Sequence, residues 1–364
     1  MRGALPLFAF SAFLMVSATQ AEADAILTVG ASGADYSTIS AAVQFADANA
    51  GTYYTIQVAA GTYVNDFSVI TAAMTIMADP GGPVILDATQ SPTNGKAIIT
   101  TSASATISGL TFENAAVADS NGAGIRDEAG TTSLIIQNDI FINNQEGILA
   151  AADSADNISV SGSSFIGNGV DTGGGACPSG GCDHGIYAGA INSLTVTSSL
   201  FCGTLAGHDI KSRAASTTIT GNQLYDGAAN AALGCPAGSS SYAIDLANGG
   251  AATISNNQII QGPATENSTM VSYGEEGLTY LDNSLMVSGN SFSNTGVANA
   301  TAISDPYCVQ VQLQNNSFQG ITTPVNPTSC AASVDQAVSE PATLALLGIG
   351  FAGLGLARRR KIAA

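Results

Sequence analysis

Positive charge is scarce in this sequence. Nine lysines and arginines and two histidines stand against 27 acids in 364 residues, and five of the nine cations are Arg2 and the cluster Arg358 to Lys361. The body between the termini keeps only Lys96, Arg126, Lys211 and Arg213, against 25 acids. A surface this anionic excludes nucleic acid as a partner. It suits solubility, Ca²⁺ uptake or a neutral glycan. A C-x-x-C pair is absent, which argues against zinc. EF-hand and RTX spacings are absent too, so Glu266, Glu275 and Glu276 are only a weak pointer to Ca²⁺ as a cofactor. No apolar run reaches the roughly 20 residues that span a bilayer comfortably.

What the sequence does have is a six-residue signature: apolar, polar, small, Asn- or Ser-like, polar, large apolar. It recurs at Ile107 to Phe112, Ile136 to Phe141, Val160 to Phe165, Val196 to Phe201, Ile219 to Leu224, Ile254 to Ile259, Val287 to Phe292 and Leu313 to Phe318. Val, Ile, Thr and Phe favour strands, while Gly, Asn and Ser favour turns. One copy cannot bury its own apolar face. Copies stacked about 4.8 Å apart can, with Ile on Ile and Phe on Phe. The closing residues are spaced 23 to 36 apart. A sandwich or barrel with strands every 8–12 residues or so does not explain so long a return. The expectation is a solenoid with loops of variable length over residues 24–330.

Both ends read as targeting segments. Arg2, the apolar run Leu5 to Ala18 and the small-x-small site Ala21-Glu22-Ala23 describe a secretory signal over 1–23, with Ala23-Asp24-Ala25 an equivalent cleavage site. After a short linker (331–338), Ser339-Glu340-Pro341 precedes the Gly-rich apolar run 342–357 and the basic cluster 358–361, which would stay cytoplasmic. This tail, 339–364, resembles the PEP-CTERM sorting signal, with Ser-Glu-Pro in place of Pro-Glu-Pro. The resemblance implies a Gram-negative source, signal peptidase and exosortase as processing enzymes, transient inner-membrane anchoring, and a cell-surface or extracellular destination. A plain C-terminal anchor is the alternative.

Six cysteines in an exported chain imply disulfides, with 15 connectivities open. Cys177 and Cys182 share a Gly-rich loop. Cys308 and Cys330 would clip the last coil to the segment beyond it, leaving Cys202 and Cys235.

Ahead of the repeats, Tyr36 to Asn49 places Ile39, Ala42, Val43 and Ala46 on one helical face, with Ser37 or Thr38 as cap. Strands are expected at 55–58, 74–77, 84–86 and 97–100. An amphipathic helix here would cover the bare end of a solenoid. Helix, AAGTYV (59–64) and later coils together resemble the pectin-lyase-like right-handed parallel β-helix superfamily. That resemblance implies an all-β right-handed parallel β-helix of about ten coils with an N-terminal capping helix. The superfamily holds polysaccharide lyases, glycoside hydrolases and esterases as well as surface proteins, so fold alone does not assign an activity.

Each coil has an additional strand with an inward residue: Ile125, Ile148, Ile186, Ile210, Ile244 and Val271. Aligned on these, Ala123, Glu146, His184, His208, Tyr242 and Thr269 form the column two places before. Arg126, Leu149, Tyr187, Lys211, Asp245 and Ser272 form the column one place after. Both histidines thus meet on adjacent coils, with Lys211 between Tyr187 and Asp245, Arg213 on the same side, and Asp183 and Asp209 flanking. Three chemistries suit such a patch. A base could take the proton α to a uronate carboxylate that Lys211 or Arg213 neutralises. Asp209 and Asp245 could act as the carboxylate pair of a glycosidase. His184 and His208 with Asp183 or Asp209 could hold a metal. Against these stands a purely structural role, with Lys211–Asp245 a cross-strand ion pair.

Gly207-His208-Asp209 resembles the Gly-His-Gly of polygalacturonase-like hydrolases, and Ile210-Lys211 part of their Arg-Ile-Lys. Those motifs are well separated in that family and abut here. The Asn-Thr-Asp motif is missing, and so is the Gln-rich motif of pectin methylesterases. Turn residues Asn222, Asn256, Asn257, Asn290, Asn315 and Asn316 are expected to stack as ladders. The functional expectation is a protein that binds or modifies extracellular polysaccharide. The alternative is a non-catalytic matrix or adhesion protein.

Overall fold

The structure is a computed structural model that describes residues 25–169, 183–309 and 311–328. Apart from one α-helix and one short 3₁₀ turn, its regular structure is β, in three sheets of 11, 10 and 10 strands. Every pairing between strands is parallel, and each coil contributes one strand to each sheet in turn. This is the parallel β-helix expected from the repeat, an architecture for which right-handed crossovers are the rule.

The signature is the corner between the first and second sheets, and four of its six positions have a distinct physical role. Its first residue points inward, and the file Ile107, Ile136, Val160, Val196, Ile219, Ile254, Val287, Leu313 stacks in direct register. Its third residue turns the chain in the left-handed region: Gly109, Asn138, Gly162, Ser198, Gly221, Asn256, Gly289 and Asn315 have φ between 51° and 76°. Gly and Asn are the residues that tolerate this conformation. Its sixth residue starts the second sheet's inward file. There Phe112, Phe141, Phe165 and Phe201 stack ring on ring at 5.1, 4.7 and 4.6 Å, and Leu224 follows in register.

The fourth position carries a buried hydrogen-bond ladder. Asn222 Nδ2 donates to Asn257 Oδ1 at 3.0 Å, Asn257 to Asn290 at 2.9 Å, and Asn290 to Asn316 at 3.0 Å. Each of these amides also donates to a corner carbonyl and accepts the main-chain N–H of the coil before it. Four of the six expected asparagines therefore stack. Asn256 and Asn315 do not, since they are the left-handed turn residues one place earlier.

Strands begin or end within a residue of expectation: Tyr54–Val58, Met74–Ala78, Val84–Asp87 and Ala97–Thr101. The helix is Ile39–Ala48, with Ile39, Ala42, Val43 and Ala46 buried. Thr38 Oγ1 accepts from the Ala41 N–H, and the Asp66 carboxylate accepts from Ile39 and Ser40 at 2.6 and 3.1 Å, so two side chains cap one helix start. The helix packs on the strands Ala25–Val29, Tyr54–Val58 and Ser68–Ile70, at the N-terminal end of the stack.

Cys202 and Cys235 form a disulfide, as their being left over suggested. It ties the 226–241 loop over outward apolar groups of the second sheet, where Cys202, Tyr225, Ala228 and Cys235 pack with Ile166, Leu200 and Ile260. Cys308 is also disulfide-bonded. Cys177, Cys182 and Cys330 lie outside the described residues, as do 1–23, the linker and the C-terminal tail.

Candidate functional site

The third sheet contains the strands Ala123–Asp127, Glu146–Ala150, Ile186–Ala188, His208–Ser212, Tyr242–Leu246 and Thr269–Tyr273. Its register aligns Ile125, Ile148, Ile186, Ile210, Ile244 and Val271, and with them the column Arg126, Leu149, Tyr187, Lys211, Asp245 and Ser272. Both histidines fall in the column two places before the inward residue. Their rings stack at 4.9 Å, flanked by Tyr187 5.5 Å from His184 and Tyr242 5.0 Å from His208.

Where the chain enters this sheet, side chains of that column join coil to coil. A Glu146 carboxylate oxygen accepts the His184 N–H at 2.9 Å. His184 Nδ1 accepts the His208 N–H at 2.9 Å, and His208 Nδ1 accepts the Tyr242 N–H at 3.3 Å. An Nδ1 that accepts a hydrogen bond carries no proton, so each neutral ring is protonated at Nε2. Burial, then the neighbouring charge of Lys211, pushes His208 down to about 3; burial, then His208 and the two cations, pushes His184 well down. The contact of His208 Nε2 with Asp245 Oδ2 at 3.4 Å is therefore one of a neutral imidazole N–H with a carboxyl group, not an ion pair.

This makes a pH prediction. The unfolded imidazoles take up protons near 6.5, whereas the folded ones stay neutral until far lower pH, so each costs stability as pH falls through that window. In an NMR titration of the folded protein, the imidazole C–H shifts of both residues should stay at their neutral positions from about pH 8 to about pH 5. A midpoint near 6.5 for either would show that its ring is not in the ladder.

Outside the histidines lies an ion cluster. Lys211 Nζ is 3.4 Å from Asp245 and 2.8 Å from Glu276, and Arg213 donates to both Glu276 oxygens at 2.6 and 2.8 Å while its guanidinium lies 5.6 Å from the Tyr187 ring centre. Burial pushes Asp245 up to about 6 despite Lys211 beside it. Burial works to lower Lys211, but Asp245 and Glu276 together raise it. Burial, with Glu275 close to the hydroxyl, lifts Tyr242 to about 12.

Seven of the expected site residues are thus brought together: His184, His208, Tyr187, Tyr242, Lys211, Arg213 and Asp245. Asp183 is buried near Glu146, whose carboxyl its charge pushes further up after burial. Asp209 is not on the patch surface. It is fully buried and accepts a hydrogen bond from Thr204 Oγ1 at 2.7 Å, facing Asp226. It occupies the column of Gly124, Gly147 and Gly185, whose Cβ atoms would come within 3.3 Å or less of Phe141, Phe165 and Phe201. Its coil is the one where Leu224 replaces phenylalanine, which leaves room for a side chain. Glu276, the anchor of both cations, was suggested by the sequence only as a weak Ca²⁺ candidate. Here Glu276 faces Lys211 and Arg213, and Glu275 faces Tyr242. Among the described residues, no three His, Cys, Asp or Glu side chains converge as metal ligands.

Comparison with known proteins bears on the tail. Residues 337–361 match the PEP-CTERM protein-sorting motif. The motif indicates an exported protein of the Gram-negative envelope or surface that an exosortase sorts. No curated protein and no solved structure matches the chain. No comparison places it among the pectin-lyase-like proteins. Among the described residues no helix is long and apolar enough to cross a membrane, and the apolar run 342–357 lies outside them.

Proposed function

We propose that the protein is a non-catalytic β-helical scaffold of the cell surface or extracellular matrix, acting among and in contact with polysaccharide. The observation that supports this is that the two imidazoles and the two cations of the His184/His208 patch are engaged within the protein. Both Nδ1 atoms accept main-chain N–H groups, and Lys211 and Arg213 are both held by Glu276. A lyase needs a cation free to meet the uronate carboxylate and a base within reach of the α proton. A glycosidase needs two carboxyls facing one bond, whereas Asp209 is buried against Thr204 and Asp226 and Asp245 meets His208 and Lys211. On this reading the signal sequence 1–23 and the tail 339–364 are processing segments, and the tail holds the chain at the inner membrane before release.

The reading is tested by incubating the full-length chain with polygalacturonate and alginate and recording the ultraviolet absorbance of unsaturated uronates, alongside a reducing-sugar assay. Neither signal should rise above that of the Lys211→Ala, Asp245→Ala variant. Turnover that this double substitution abolishes would make the patch an active site and end the scaffold reading.

A further inference from the structure

The first sheet has a feature the sorting signal and the histidine patch leave unused. In a body so rich in acids, none of its eleven strands contains an Asp, Glu, Lys or Arg. The third sheet, by contrast, carries Arg126, Glu146, Lys211 and Asp245. Outward positions of the first sheet form two adjacent columns in exact-register stacking, of which Thr195, Thr218 and Thr253 are the middle of one and Thr197, Thr220 and Ser255 the middle of the other. Successive coils repeat these groups about every 4.8 Å, and the columns lie about 7 Å apart. The face also has relief. A third column, Ser216, Ala251, Ser284, is made of small residues, and an open depression lies there, bounded by Thr253, Met286 and Gln312.

We propose that this face docks a neutral polysaccharide chain laid along the stacking axis, with the chain seated over the depression. The proposal rests on the scaffold reading and gives it a site and a ligand class. Charge selects the ligand. An uncharged face can be covered without stranding a buried charge, while the acidic remainder of the body repels uronate polymers. Hydroxyls donate and accept, and the Gln312 amide does both, which matches sugar hydroxyls of either sense. Met286 in the same column as Thr253 offers an apolar contact for the C–H face of a pyranose ring. The mixture of hydroxyl, amide and thioether also favours a polymer over an ordered lattice such as ice, which requires one repeated group.

The test uses the full-length chain and three probes: insoluble cellulose, soluble neutral dextran and polygalacturonate, the soluble ones cast into native gels. The expected result is retention by a neutral glucan and none by polygalacturonate. Two charges placed two coils apart by Thr195→Glu with Thr253→Glu should weaken that retention roughly tenfold or more, as for the central residues of an interface. Gln258→Glu, exposed on the second sheet, should leave it unchanged. Should the double variant misfold by circular dichroism, the near-isosteric Thr218→Val decides, and it should still lower retention. Retention that survives these changes, or retention by polygalacturonate alone, would overturn the neutral-glycan face while leaving a polysaccharide scaffold standing. Retention by none of the three would end both. Inhibition of ice growth without glucan retention would overturn the choice of ligand.

Discussion

Replacing Phe165 with alanine should lower stability by about 3–5 kcal/mol, the cost of a large aromatic truncated in a core that cannot collapse around the void. Phe165 is fully buried, between Phe141 at 4.7 Å and Phe201 at 4.6 Å. Collapse is blocked because these neighbours belong to adjacent coils, whose separation is fixed by the main-chain ladders on all three sides. Glycine makes the fit tighter still: a Cβ on Gly147 would lie 2.8 Å from Phe165 Cδ1. The measurement is the denaturant midpoint in the full-length chain. Phe165→Leu should cost much less, since it keeps most of the volume, as Leu224 does one coil beyond Phe201. An alanine variant as stable as the parent would mean that the ring file is not formed.

The second large effect is expected at Asn257. Its Oδ1 accepts from the Asn222 N–H and side-chain amide at 2.9 and 3.0 Å, and its Nδ2 donates to the Ile219 carbonyl at 2.8 Å and to Asn290 Oδ1 at 2.9 Å. Asn257→Leu keeps the volume and strands donors and acceptors on both neighbouring coils. Each group so orphaned in the interior costs about 1–3 kcal/mol, so a loss of about 3 kcal/mol or more is expected. Asn257→Asp separates ladder from bulk: the carboxylate still accepts from Asn222 but cannot donate to Asn290 or Ile219. It should therefore be destabilising at neutral pH and partly recover in acid, where protonation returns one donor. Equal midpoints for the Leu variant and the parent would show that the amides are satisfied in some other way.

Much of this was readable because a coil repeats its own solution. A left-handed corner favours Gly or Asn, the residue two places before it must be apolar and the third after it must fill the core, so three constraints fall within six residues and return at every turn. The same alignment brought His184 over His208 and Lys211 next to Asp245 without knowledge of any contact. Two things escaped it. Asn256 and Asn257 are the same residue type one position apart, and only the backbone angle at 256 decides which turns the chain and which joins the ladder. Asp209 looks outward by strand alternation, yet the chain enters the third sheet at a bend, and its column is the one that glycine vacates for the phenylalanine file. Glu276 was hidden for a different reason. It reaches Lys211 from 65 residues away on a loop, and no periodicity governs loops.

In the sheet that begins at Ala25–Val29, strands add in chain order up to Val311–Gln314. Sequence position therefore reads as altitude on a ruler with ten intervals of about 4.8 Å, roughly 50 Å in all. The helix Ile39–Ala48 stands near one end of the scale and the route to the sorting motif leaves from the other. Inserting one whole coil would lengthen the protein by a single graduation and leave every other mark in place, so its reach could change without redesign of the corners.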